Sequence, residues 1–364
     1  MFTLQGRYAT AVCYLADSDE QMDGVIAQIL KMLNLPFTEG QRIAIMPDAH
    51  PGTGCVIGTT MTVGDKVVPN VVGTDLGCGL LVVDIGAEPI DCERVDASCY
   101  AIPSGVSVWD RVQPFAMSDL RCKGHLGDEA GIARSFGTLG GGNHFIEIDV
   151  ADDGTQYLVI HSGSRKLGLA VAKYYQRMAT ESLDGSGVPR DLCWLTGQAM
   201  DDYLHDVAVA QRWARRSREI MAEQICDVTG LSVRGMFHTV HNYIDVDEMV
   251  LRKGAVSAKA GERLIIPMNM RDGAVLACGR GNEAWNMSAP HGAGRRLSRS
   301  RAKESIGIEE YRRQMEGIYT TSVTASTIDE APDAYKSEDD IFGIIDDSVD
   351  VTEIIRPIYN FKAH

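Results

Sequence analysis

Five of the nine histidines lie in short polar contexts, four of them with glycine: His50 in MPDAHPG, His144 in GTLGGGNHF, His161 in VIHSGSR and His291 in APHGAGR, with His241 in VHNYI the fifth. Asp75 and Cys78 sit in a turn of the same kind, VVGTDLGCG. Histidines that only pack a core need no such glycines, whereas metal and phosphate sites do. A chain carrying this set must bring turns distant in sequence to one place. That restricts it to architectures in which short strands end in functional loops.

The remaining sequence agrees with such an architecture. Residues 43–85 alternate Val/Ile-rich runs (RIAIMPD, CVIGTTMTV, KVVPNVV, LLVVDIG) with Gly/Pro/Asp turns, which reads as strands joined by loops. FIEIDV at 145–150 and YLVIH at 157–161 flank a polar turn and predict an antiparallel hairpin. A loop centred near Asp153 sets His144 almost opposite His161, with facing Cβ atoms about 5 Å apart. Residues 196–229 carry apolar side chains three to four apart and end at Gly230, which predicts one long helix. Short β-like runs follow (FHTVHNYI, MVLRKGAV, RLIIPM, AVLACG), then a helix around 294–316. Residues 91–135 carry no clear pattern. Strands and helices mix without strict βαβ alternation, so the expected fold class is α+β (mixed α/β). We expect one domain over residues 1–364, with mixed sheets, surrounding helices and a central dimetal pocket.

Bulk properties narrow the function. No apolar run approaches the roughly 18 residues of a membrane helix, and MFTLQGRYAT lacks the features of a signal peptide. Nine scattered cysteines without a CxxC point to a reduced, cytoplasmic chain, and a monomer is expected. A net charge of −15 argues against diffuse nucleic-acid binding, so an RNA partner would need a locally basic surface. RWARRSR at 212–218 and GRRLSRSRAK at 294–303 are candidates, although each alone reads first as a solvated helix face.

Asp75 and Cys78, three apart on a tight loop, can both face one ion, or can be a turn aspartate beside a buried cysteine. His144 and His161 form a liganding pair or a satisfied core pair. His241 has the weakest local context and gains weight only as a fifth ligand. Thiolate, imidazole and carboxylate together suit Mn, Co or Zn. Asn143 and glycines 140–142 would let backbone approach anionic oxygens. His291-Gly-Ala-Gly-Arg295 leads into an arginine-rich helix, where a neutral imidazole could attack a nucleotide phosphorus while Arg295 and Arg299 stabilise the developing charge. A simple anion-binding turn is the alternative. Lys253 and Arg165 are further possible phosphate contacts, or plain surface cations. Asp48 and His50 either line the site or shape a proline turn. His125, His205, His238 and His364, and every cysteine except Cys78, are assigned to structure or surface.

In this order, the motifs MPDAHPGTG, VVGTDLGCG, GGGNHFIEI, HSGSRKLG, HNYI, RKGAVSAKAGE, SAPHGAGRRLSRSRAK, DEAPDAYKSEDD and NFKAH resemble the RtcB family of RNA-splicing and RNA-repair ligases. The resemblance runs from about residue 40 to the end of the chain. It implies a GTP- and Mn²⁺-dependent ligase joining RNA 3′-phosphate or 2′,3′-cyclic phosphate ends to 5′-hydroxyl ends through an RNA-(3′)pp(5′)G intermediate. It implies that Cys78 bridges two manganese ions, with His144 and His161 completing one site and Asp75 and His241 the other. His291 would become guanylylated. Asn143, Glu147, Tyr335 and Lys362 would hold the guanylate, with the backbone of Gly292, Ala293 and Gly294 near its phosphate. Arg165, Lys253, Arg295 and Arg299 would contact phosphate or RNA.

The chain departs from the family at several points. It is shorter than a typical member, and Ser217 stands where asparagine is usual. A usual Pro-Gly-Ser-Met-Gly stretch is replaced from Pro267 to Gly273, so two serines that would touch nucleotide become Asn269 and Ala274. The wording NMRDG, GNEAWNMSAPHGAGR and SRSRAK resembles the bacterial subgroup paired with release factor H, which implies that factor as a partner and cleaved ribosomal RNA as a substrate. Two other readings compete: a dinuclear metallo-phosphoesterase acting on RNA ends, and a catalytically silent RNA-binding module. His291 divides them, since neither has a use for a histidine in a phosphate-receiving turn.

Overall fold

A computed structural model describes residues 1–15, 22–115 and 117–362; the expected placement of His364 lies outside them. Its centre is a seven-stranded antiparallel sheet with strand order 263–269, 273–279, 349–362, 145–150, 156–162, 79–86 and 235–240. The strand Gly79–Gly86 (GLLVVDIG) is apolar from Gly79 to Val83 because both of its faces are covered there. Leu81, Val83 and Ile85 pack on Met221, Ala222 and Ile225 of the long helix Gly197–Thr229. Leu80 and Val82, on the opposite face, meet Val159, Ile265 and Leu276. Contact between strands so far apart in the order means the sheet curls around its own core. The backbone N–H of Ile265 on one edge donates to Thr239 Oγ1 on the other, at 3.2 Å. Truncating Leu81 or Ile225 would cost about 2–5 kcal/mol.

A second sheet has the order 2–5, 10–13, 43–50, 57–62, 250–253, 242–245 and contains one parallel pair, between Thr10–Cys13 and Ile43–His50. A two-stranded ribbon, Ala255–Ser257 with Ser288–Pro290, also contributes. The expected mixed α+β class is borne out. So is the long helix, which Gly230 ends in the left-handed conformation at φ 78° while its N–H caps Cys226 O.

Two expectations are corrected. KVVPNVV does not make a strand. Pro69 cannot donate to a ladder, so Val67 forms a lone bridge to Leu195 and a helical turn, Pro69–Val72, begins at the proline. The helix expected around 294–316 is two short helices, Arg299–Ser305 and Ile308–Gln314, separated by extended backbone at Ile306 and Gly307.

Candidate active site

The inferred hairpin has the register the sequence implied: Phe145 pairs with His161, so His144 enters one residue before the strand and its ring centroid lies 5.2 Å from that of His161. His144 Nδ1 donates to Leu139 O at 2.8 Å and His161 Nδ1 to Asn143 O at 3.1 Å. The Asn143 carbonyl thereby selects the His161 tautomer whose Nε2 lone pair points inward, whereas His144 Nε2 faces the Asp75 carboxylate. Both Nε2 atoms lie 3.4 Å from Cys78 Sγ, which the loop after Val72 delivers at the start of Gly79–Gly86. His241, between the strands Gly235–Val240 and Asn242–Asp245, puts its Nε2 3.0 Å from His161 Nε2. Asp75 Oδ2 lies 3.1 Å from His144 Nε2. All five expected ligands therefore converge. Among the described residues, the ligand atoms of Cys78, His144 and His161 lie within 4.8 Å of one another, a group able to hold a metal ion.

Burial pushes the Cys78 thiol well above its ordinary value, and the neighbouring Asp75 adds to the rise. Burial, with neighbouring imidazoles, holds His161 and His241 well below theirs, so both rings are neutral. Burial also works to raise Asp75, but its hydrogen bond to His144 and nearby cations keep it ionised, at about 2. A buried sulfur between neutral imidazoles and a carboxylate is the donor set of a borderline divalent cation, whose charge would release the thiol proton. Affinity order alone favours Zn²⁺ over Mn²⁺ for these donors.

The cluster forms one wall of a cavity of about 630 Å³. The expected metal, guanylate and phosphate contacts line it except His144 and Arg165, and so does His50, whereas Asp48 does not. Arg165, at φ 57°, turns its guanidinium to Gly105 O at 2.7 Å and to Thr138 Oγ1 at 3.3 Å. Gly140, at φ 91°, makes room for Arg165 and His144 rather than for an anion: a Cβ there would lie 2.0 Å from Arg165 Nη1. That corrects the role expected of the glycine triplet, none of which lines the cavity.

His291 stands beside the metal ligands, its ring centroid 4.9 Å from that of His241. No helix starts near 294, contrary to expectation. Arg295 instead bridges to Tyr335, and the next helix waits until Ser298 caps it. Gly294 takes φ 74° because a Cβ would lie 2.5 Å from Asp48 O. This close approach lets the fully buried Asp48 accept from His291 Nδ1 at 2.5 Å and from its backbone N–H at 3.1 Å. Among the described residues, His291 Nε2 has no hydrogen-bond partner. Asp48, ambiguous in the sequence, is the partner of His291, and His50 lines the cavity beside them.

The far end of the cavity is charged. Glu330, 2% exposed, meets Lys362 Nζ at 2.9 Å, Arg299 Nη1 at 2.7 Å, Arg295 Nη1 at 3.3 Å and the Tyr335 hydroxyl at 2.6 Å. Burial alone would raise this carboxyl; Lys362, Arg299 and Arg295 bring it down to about 2. Along the same wall, Glu147 accepts from Asn360 Nδ2 at 2.7 Å. Burial raises both Glu147 and Asp149, so the pair retains a proton more readily than free carboxyls do. Asn269 spends its side chain on its own turn, accepting from the N–H groups of Arg271 and Asp272 and donating to Asp272 Oδ2. Ala274 is buried in the sheet core.

Two functional residues were missed in the sequence. Glu330 lies in short 3-10 turns without periodicity. Arg218 was grouped with a solvated basic run. Arg212, Arg215 and Arg216 are indeed exposed, but Arg218 is fully buried and donates to Gly77 O at 3.0 Å and Ser162 O at 2.7 Å. The signal was available: position 218 falls on the helix face shared with Ala214, Met221 and Ile225.

Among the described residues no helix is long and apolar enough to cross a membrane. The family model for tRNA-splicing ligase RtcB matches residues 28–118 and 124–363. RNA-splicing ligase RtcB of Escherichia coli (strain K12) is 31% identical over 390 aligned residues, covering 92% of this chain and 93% of the relative. RNA-splicing ligase RtcB2 of E. coli strain ATCC 25922 is 27% identical, covering 91% and 89%. tRNA-splicing ligase RtcB of Aeropyrum pernix is 26% identical, covering 85% and 86%. With a curled mixed-sheet fold, a buried Cys/His cluster and a match along most of its length, the chain belongs to the RtcB family of RNA ligases.

Proposed function

We propose that residues 1–364 act as one cytoplasmic, monomeric, GTP- and Mn²⁺-dependent ligase that joins RNA 3′-phosphate or 2′,3′-cyclic phosphate ends to 5′-hydroxyl ends. The observation that carries this reading is His291, whose Nδ1 is held by buried Asp48 while Nε2 is free beside the metal ligands. An imidazole fixed in this way has one nucleophilic atom with one orientation.

His144 and His161 with Cys78, and Asp75 and His241 with the same Cys78, would hold the two ions. When bound they neutralise polyphosphate charge. His291 Nε2 attacks the α-phosphorus of GTP and forms a P–N bond as pyrophosphate leaves, with Asp48 stabilising the charge gained by the ring. An oxygen of the RNA 3′-phosphate then takes the guanylate from His291, whose P–N bond breaks, to give RNA-(3′)pp(5′)G. The RNA 5′-hydroxyl attacks the phosphorus attached to the 3′ end, loses its proton and displaces GMP. A cyclic phosphate is first opened by water.

Asn143, Glu147, Tyr335 and Lys362 would hold the guanylate, with Gly292, Ala293 and Gly294 beside its phosphate. Lys253, Arg295 and Arg299, which line the cavity, would contact phosphates. Arg165 would act from behind the His144 loop, on the evidence of its ties to Thr138 and Gly105. Repair of cleaved ribosomal RNA with release factor H as partner belongs to the same proposal and rests on the wording of residues 269–303.

Incubation with α-labelled GTP and Mn²⁺ tests it. An acid-labile, alkali-stable protein–GMP adduct is expected in the wild type and none in His291→Ala. Label retained in that variant moves the nucleophile elsewhere. No label in the wild type favours the phosphoesterase or the silent module.

A further inference from the structure

A second depression, of about 380 Å³, opens beside the first and shares Asn70 and Thr74 with it. Asn70 is the partition between the two. Its carbonyl accepts from Lys253 Nζ in the main cavity, while its N–H and side-chain amide are held by Gln176 Oε1 and Asp191 O on the far side. The far side carries Lys173, Arg177 and Arg190, all exposed. Lys173 and Arg177 are one turn apart on the helix Arg165–Ser182, and Arg190 lies on the facing turn, whose carbonyl accepts from Gln176 Nε2 at 2.9 Å. The one acid in the depression, Glu181, is 72% exposed and reaches Arg177 only at 3.9 Å. Among the described residues, Lys173 and Arg190 have no carboxylate partner.

Three cations with so little internal compensation stand out on a chain of net charge −15. Through Asn70 and Thr74 they lead into the main cavity next to Lys253, whose ammonium suits a terminal phosphate rather than a 5′-hydroxyl. From this continuity and charge complementarity we infer that the groove along Lys173, Arg177 and Arg190 seats the backbone of the single RNA strand that ends in the 3′-phosphate. The inference rests on the ligase reading and adds to it the path by which that strand enters. The two basic runs visible in the sequence, at 212–218 and 294–303, take no part in it.

The test is the triple variant Lys173→Ala/Arg177→Ala/Arg190→Ala in the full chain, compared with the wild type for binding of a single-stranded RNA with a 3′-phosphate across a salt series. Each lost phosphate contact lowers the slope of log K against log salt by about 0.7 for a single strand. The slope is therefore expected to become shallower by about 2, with affinity at about 0.1 M salt down at least tenfold. The protein–GMP adduct, which forms without RNA, is measured alongside. Unchanged affinity and slope overturn the groove whatever the adduct shows. A larger loss for RNA with a 5′-hydroxyl and no 3′-phosphate overturns the choice of strand. If the wild type forms no adduct but its RNA binding still depends on the three cations, the groove stands and the ligase reading falls.

Discussion

The two ends of the cavity are built on opposite electrostatic principles. Around Cys78 the side chains are neutral imidazoles, a thiol kept protonated by burial and one carboxylate, so the binding charge must arrive with a cation. Around Glu330 the charges are already present: one buried carboxylate is surrounded by Lys362, Arg295 and Arg299. The first end is rigid because sheet strands and carbonyl–imidazole bonds position every ligand. The second is held by ion pairs that an incoming anion can re-partner. His291 lines the same cavity, beside His241.

Breaking the shared ligand has the largest expected effect. Cys78→Ser should abolish tight binding of both metal ions, a loss beyond the ~10–100-fold typical of removing a supporting partner. Metal content after gel filtration checks it; two ions retained per chain would refute the bridge. Next, Arg218→Met leaves the Gly77 and Ser162 carbonyls buried without a donor, at about 1–3 kcal/mol each. A lower denaturant midpoint is expected, together with weaker metal binding, since both carbonyls belong to ligand-bearing loops. Unchanged metal affinity would separate Arg218 from the site.

Asp48→Asn replaces an acceptor that fixes the His291 tautomer, so guanylylation should slow by about 100-fold with GTP binding nearly unchanged. Single-turnover labelling separates the two quantities, and a loss confined to binding would contradict the orienting role. The smallest effect concerns pH. Glu330 is held near 2, below its ordinary value, so its ion-pair stabilisation is fully present above about 4.5 and fades as pH falls toward about 2. Glu330→Gln should flatten that acid limb of a stability–pH curve, and an unaltered limb would remove Glu330 from the balance.

The metal end was the more legible in sequence because four of its five ligands, all but His241, sit in glycine-containing stretches, and the Asp153 loop alone placed His144 near His161. Glu330 was not legible. Its three cations come from residues 295, 299 and 362, and no local period ties them together. Asp48 could not be assigned because its partner, His291, is 243 positions away. Arg218 failed for a different reason: three exposed arginines nearby made the run look solvated, although helical phase put one of the four inward. The helix expected after His291 failed because the Arg295–Tyr335 bridge holds that backbone extended.

The most direct test of the central claim is anomalous scattering from crystals of the wild-type protein grown with Mn²⁺. Two peaks are expected, both bonded to Cys78 Sγ, one completed by His144 and His161 and the other by Asp75 and His241 beside His291. Peaks that do not share Cys78, or a manganese ion bound instead at Glu330, would contradict it.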